Sequence, residues 1–192
     1  MKGVVSLLDK RLADHVGYIW DVLNRELGLN GVYATPYPHI LFHSAREYDF
    51  SRLDPALRSF ARHAPPFTVR TTGLGVLMED PAKLYITVTR GFEINRFHQQ
   101  LWEHISTAAL HVDNTLFPEL WIPGITLAEN DLQQSMLPRI MWLLSGMDFN
   151  WEFTIDSLCY FDDMGGGDSR PFLDLDLTGE APLFRPRVPV AR

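Results

Sequence analysis

The sequence predicts an α+β fold, and three observations carry that prediction. Apolar residues recur with the strand period in seven segments and with the helical period in four. Some strands stand between helices, while others follow one another directly as hairpins. The second half of the chain echoes the first, down to a matched pair of short strands.

The elements follow in order. "GVVSLLD" (3–9) is a short, β-branched apolar run and predicts a buried strand. Asp14 is placed to cap the next helix, whose apolar positions Val16, Ile19, Trp20, Leu23 and Leu27 keep the helical spacing. Gly28 falls at its C-terminal cap, and Asn30-Gly31 forms a turn. "HILFHSA" (39–45), introduced by Pro36 and Pro38, predicts the second strand. Asp54-Pro55 reads as an N-cap with proline at the first helical position, opening a helix over 54–64.

"PFTVRTTGLGVLM" (66–78) and "KLYITVTR" (83–90) predict a hairpin turning at 79–82. A helix over 92–110 carries the stripe Ile94, Phe97, Leu101, Ile105 and Ala108, and a loop follows (111–120). The strand Ile125–Ala128 comes next, with Gly124 at its head. A fourth helix over 132–146 contains Pro138, so it either starts regularly there or is kinked there. "FNWEFTIDSLCYF" (149–161) alternates as one strand, 162–169 turns, and 171–179 alternates again. The domain expected is 1–180, with 181–192 as a proline-containing surface tail.

Composition narrows the function. The chain has 192 residues and a net charge of −7. A binder of bulk duplex nucleic acid needs a basic surplus, so that class is disfavoured, whereas a small phosphorylated ligand needs only local donors. One cysteine, Cys159, allows no internal disulfide and fits a reducing cytoplasm. No apolar run approaches the ~18 residues of a membrane span, and the N-terminal stretch lacks the pattern of a signal peptide.

The two echoing strands are "YPHILFH" (37–43) and "IPGITLA" (122–128). Side chains two apart share a face. His39, Leu41 and His43 therefore share one face, and Gly124, Thr126 and Ala128 share another. If Ile40, Phe42, Ile125 and Leu127 fill the core, the remaining positions look into a common cleft. The pair resembles the double His-x-Thr signature of the 2H phosphoesterase superfamily, in its 2′-5′ RNA ligase/cyclic nucleotide phosphodiesterase branch. That resemblance implies a bilobal fold of two antiparallel sheets with flanking helices and a central cleft. Members read Pro-His-x-Thr-Leu at both sites. Here the sites are Pro38-His39-Ile40-Leu41-Phe42 and Pro123-Gly124-Ile125-Thr126-Leu127.

The family chemistry explains the doubling. Opening a 2′,3′-cyclic phosphate, or the reverse ligation, is an in-line displacement at phosphorus. One neutral imidazole takes a proton from the attacking oxygen, and one protonated imidazole gives a proton to the leaving oxygen. Threonine hydroxyls donate to the non-bridging oxygens. The resemblance implies His39 as one acid/base and Thr126 as one donor. The partners are replaced by Leu41 and Gly124. No cofactor is called for, and His39 with His43 sits too far apart along a strand, about 13 Å, to chelate a metal directly.

Other residues complete the candidate set. His43, Leu41, Gly124 and Arg90 are carried as substrate-binding positions, with Arg70 a second possible phosphate ligand. His111 lies in the loop before the second motif strand, within reach of the cleft. His98 and His104 read as packing or surface residues of their helix. Trp151 reads as core, or as a wall for a base to stack on. Three functions sit on this fold: a divergent hydrolase or ligase using His39 with Thr126 and water, a catalytically silent relative binding a nucleotide, an RNA end or another phosphorylated small molecule, and a protein-interaction module. Leu41 and Gly124 make the cleft more apolar and wider, which favours the last two.

Overall fold

The computed structural model describes residues 2–31, 37–162 and 171–180. Pro36, the turn at 163–169 and the tail 181–192 lie outside the described residues.

Strand β1 (Lys2–Leu7) leads into helix α1 (Lys10–Leu27). Asp9, not Asp14, is the N-cap, and its carboxylate accepts from the Leu12 N–H at 2.9 Å. Asp14 is one turn inside and pairs with Lys10 instead. The helix ends at Gly28, whose φ of 73° is left-handed and whose N–H donates to the Asn24 carbonyl. Val16, Ile19, Trp20 and Leu23 bury the apolar face as the spacing predicts, Leu12 joins them, and Leu27 is half-buried.

Strand β2 (His39–Tyr48) is followed by α2 (Phe50–His63). Asp49 caps α2 through the Ser51 N–H. The helix thus begins a turn before the predicted Asp54-Pro55 start. Asp54 pairs with Arg58 within the helix, and Pro55 forfeits a single ladder bond. Strands β3 (Phe67–Leu77) and β4 (Lys83–Val88) form the expected hairpin.

Helix α3 (Phe92–Ile105) stops earlier than its apolar stripe suggests. A 3-10 turn over Ser106–Ala108 releases the chain into β5 (Ala109–Val112), a strand that lies within the predicted helix end and loop. Strand β6 (Gly124–Ala128) opens at Gly124 as predicted. Helix α4 (Leu137–Leu144) carries Pro138 in its first turn, where no backbone N–H is needed, so the regular helix starts there. The long strand expected over 149–161 is two strands, β7 (Glu152–Ile155) and β8 (Ser157–Phe161), broken at Asp156. Strand β9 (Leu173–Asp176) follows.

All strand pairs are antiparallel. The order is β7-β3-β4-β6-β2-β1-β8-β9, with β5 added to the far half of β2. Among the described residues, the two halves, β7-β3-β4-β6 and β2-β1-β8-β9, are joined through the single register pair Ile40–Ile125. The two antiparallel sheets expected are therefore joined at this narrow junction into one nine-stranded sheet. Strands β7 and β8 are consecutive in the chain yet lie far apart in the order, so the sheet curls until these strands come together. The halves also echo each other in detail. The Leu8 N–H donates to the Pro38 carbonyl, and the Val88 N–H to the Pro123 carbonyl, each just before a motif strand.

The faces of the sheet divide the residues cleanly. Val4, Ile40, Phe42, Leu84, Ile86, Ile125 and Leu127 join the buried faces of all four helices in one apolar core. Ile40, Phe42 and Ile125 are fully buried, as expected. The opposite face carries His39, Leu41, Tyr85, Gly124 and Thr126, and there the cleft opens. No described helix is long and apolar enough to cross a membrane.

Candidate functional site

The site is built on β2 and β6. One residue to either side of the Ile40–Ile125 pair, the antiparallel register sets His39 beside Thr126 and Leu41 beside Gly124. The retained histidine and threonine therefore form one cross-strand pair, and the two departures form the other. On the next strand Tyr85 is opposite Thr126, and beyond it Gly75 is opposite Tyr85. A single row thus runs Gly75, Tyr85, Thr126, His39 across four strands.

Because β2 and β6 diverge after one pair, their carbonyls need other donors. The Trp121 indole N–H donates to the Leu41 carbonyl at 2.9 Å, and the Trp20 indole to the Thr126 carbonyl at 3.0 Å. His98 Nε2 lies 2.8 Å from the Phe42 carbonyl and donates to it. These buried side chains satisfy backbone carbonyls of the motif strands.

His39 is half-buried, with Nδ1 2.7 Å from the Tyr37 carbonyl. A carbonyl only accepts, so Nδ1 carries the proton, and the neutral ring leaves Nε2 as a bare acceptor. Burial pushes the imidazole below its ordinary pKa. The Tyr37 bond and Glu129 oppose this shift, and Lys83 adds to it. His39 is therefore neutral near pH 7 and suited to take a proton rather than give one.

Gly124 is covered. A Cβ there would lie 2.5 Å from Tyr85 Cδ2 and 3.2 Å from the Ile86 carbonyl oxygen. A Cβ at Gly75 would lie 2.5 Å from Tyr85 Cζ and 2.7 Å from its hydroxyl. The Tyr85 ring packs down between the two glycines, in the space their side chains would take. The expectation of a cleft widened at Gly124 is corrected accordingly, because an aromatic ring fills the place. Leu41 does make the cleft more apolar, and it packs against a small buried cluster of Val5, Cys159 and Phe161.

The cleft encloses about 690 Å³. Its described charged lining is Lys83 against Glu79, Asp113 and Glu129, and Lys83 already pairs with Glu129 at 2.9 Å. The Asp113 carboxylate accepts from the N–H and hydroxyl of Thr115.

Several predicted residues lie elsewhere. His43 does not reach the cleft. The register of β1 against β2 slips between Val4, opposite His43, and Val5, opposite Leu41. This bulge shifts the alternation by one, so Ser44 takes the cleft side. His43 is fully buried, its ring centroid 4.5 Å from that of Trp102 and its Nδ1 at the Tyr48 hydroxyl. Arg90 is exposed outside the cleft, donating to Asn95 and to the Pro118 carbonyl. Arg70 pairs with Glu152 at the β3–β7 edge. His111 lies with Arg46 in a neighbouring depression. His98 is buried packing, as its helix position suggests, and His104 is exposed, bonded to the Gln100 carbonyl. Trp151 stacks on His15 away from the cleft.

Tyr85 and Lys83 were missed as site residues. The alternation of "KLYITV" (83–88) signals both, since Leu84 and Ile86 take the core and leave Lys83 and Tyr85 on the other face.

The family model described as the 2′-5′ RNA ligase superfamily matches residues 9–167. No match was found among curated proteins. Among solved structures, TT0787 of Thermus thermophilus is similar with a TM-score of 0.64 and 14% identity, over 94% of this chain and 99% of that one. Apo LigT of E. coli gives 0.62 and 14%, over 92% and 96%. LigT complexed with 3′-AMP gives 0.57 and 14%, over 92% and 97%.

Proposed function

The chain belongs to the 2′-5′ RNA ligase superfamily, and from that premise we propose that it binds a nucleotide, an RNA end or another phosphorylated small molecule in its cleft, with phosphoester turnover weakened or lost. One observation carries the reading: the Tyr85 ring packs over Gly124, where the second imidazole of the motif would stand. Displacement at phosphorus needs a base and an acid. His39 supplies a neutral acceptor, and beside Leu41 and Gly124 the motif offers no second titrating side chain. The loss of one acid/base group costs about 10²–10⁴-fold in rate. Nucleotide binding is supported by fold neighbours: LigT is described in complexes with 3′-AMP, NADP+ and ATP.

The test uses the full chain with 2′,3′-cyclic AMP and with a 2′,5′-linked oligonucleotide, beside His39→Ala. The expected result is turnover at least about 10²-fold below an intact two-histidine relative, together with 3′-AMP binding that His39→Ala weakens. Turnover at the relative's rate that is abolished by His39→Ala would overturn the reading.

A second reading, a protein-interaction module on the same fold, is favoured by the apolar rim. Leu120 and Ile122 line the cleft while 65% and 53% exposed. It gains if no nucleotide binds.

A further inference from the structure

We propose that the cleft recognises the planar, uncharged end of its ligand and not the phosphate: a nucleoside is held against Tyr85, and a phosphoryl group contributes little or opposes binding. The inference rests on the nucleotide-binding reading above and specifies which part of the ligand is gripped.

The first support is steric. Two glycines on strands either side of β4 give up their side-chain space to one ring. Cβ atoms at Gly75 and Gly124 would each come within 2.5 Å of Tyr85, so the ring is seated in a socket. It lines the cleft in the same row as Thr126 and His39. A ring held this way offers a fixed aromatic surface whose ordering cost is already met, and base–aromatic stacking tolerates any base. Leu77, Leu41 and Ile122 continue the apolar lining.

The second support is electrostatic and independent of the first. Among the described lining residues, Lys83 is the one ammonium, and Glu129 holds it at 2.9 Å. Glu79 and Asp113 add two further carboxylates. Arg70 and Arg90 are turned to other partners outside the cleft. His39 is the neutral tautomer with its N–H on the Tyr37 carbonyl. Among the described lining residues, a phosphate entering here meets hydroxyls, like charge and a single ammonium already paired with Glu129, not the cluster of charge-assisted donors that makes anion sites strong. A nucleoside meets an aromatic ring, an imidazole acceptor and the Thr126 hydroxyl, none of which needs a negative charge.

The experiment is calorimetric titration of the full chain with adenosine, 3′-AMP and inorganic phosphate, repeated at low and at physiological salt. Adenosine is expected to bind at least as tightly as 3′-AMP, and phosphate alone to show no saturable binding. The adenosine affinity of Tyr85→Phe is expected to exceed that of Tyr85→Leu by about 5- to 150-fold, the range of one base–aromatic stack. Glu129→Gln, which releases Lys83, is expected to raise the 3′-AMP affinity relative to adenosine. If 3′-AMP binds tenfold or more tightly than adenosine, the inference falls while the nucleotide reading stands. Equal affinities of Tyr85→Phe and Tyr85→Leu also overturn it. If neither adenosine nor 3′-AMP binds, the nucleotide reading falls and takes the inference with it. Should Tyr85→Leu fail to fold, the adenosine-to-3′-AMP ratio of the unaltered chain decides alone.

Discussion

His39 stands beside Thr126 on the neighbouring strand, and the same register sets Leu41 beside Gly124. The motif is therefore kept as one cross-strand pair and lost as the other. The retained pair can hold a hydroxyl and accept a proton. The lost pair carries an isobutyl group and an aromatic ring resting on a glycine.

Restoring the motif requires more than restoring its letters. Gly124→His should be inert alone and with Leu41→Thr, because its Cβ meets Tyr85 Cδ2 at 2.5 Å. Adding Tyr85→Ala to that pair should bring detectable hydrolysis of 2′,3′-cyclic AMP. Gly124→Ala alone should cost about 1–3 kcal/mol by overpacking. In a urea-unfolding cycle, much of that cost should vanish when Tyr85 is also alanine. Strict additivity would show that ring and glycine do not compete for space.

Acid should unfold this protein through two buried histidines. Burial lowers His43 to about 4, with His98 adding to the shift and Asp113 opposing it. Burial lowers His98 to about 4 too, with the Phe42 carbonyl opposing and Arg90 adding. Folded pKa values below the unfolded 6.5 mean full stability above pH 6.5, lost as pH falls from 6.5 through 4. Each group accounts for roughly 3 kcal/mol over that window. Urea midpoints at pH 7.5, 6, 5 and 4.5 should fall steadily, and His98→Phe should flatten the fall. A level profile from pH 7 to 5 would refute this account.

Trp121→Phe should cost about 1–3 kcal/mol, because the partly buried Leu41 carbonyl loses the indole donor at 2.9 Å. Denaturant unfolding measures the loss. Adenosine binding should weaken with it, since Leu41 then loses the strut that fixes its backbone.

The two candidate caps of the first helix separate cleanly. Asp9→Ala should cost about 0.5–2 kcal/mol. Asp14→Ala, which removes only an exposed pair with Lys10, should cost under about 0.5 kcal/mol. Thermal unfolding of the two variants decides which aspartate starts α1.

What the sequence revealed follows from where simple periodicity holds. Ile40, Phe42, Ile125 and Leu127 entered the core because strands there alternate without interruption. Gly28 announced the end of α1, whereas Pro138 left a start and a kink both open, and the structure takes the start. His43 was misplaced because a bulge adds one residue to β2, and no residue type there announces it. Asp49 was passed over because Asp54-Pro55 presents the stronger local signal, yet the helix is decided by what Leu53 and Leu57 bury. Strand β5 went unseen because its four residues follow a helix stripe with no break in apolar spacing. Tyr85 was legible as cleft-facing, but its role depends on Gly75 and Gly124, which lie 10 and 39 positions away and become neighbours only through strand pairing.

The passage from β7 to β8 through Asp156 also constrains how the chain may be cut. Four residues close one end of the curled sheet, and of the five past Asp156 three, Cys159 to Phe161, pair with β1 in its other half. A truncation before Phe149 would strip β7 from β3 and β8 from β1 at once, leaving β3 and β1 each with one unpaired edge. Such a fragment would self-associate edge to edge instead of persisting as a smaller cleft protein.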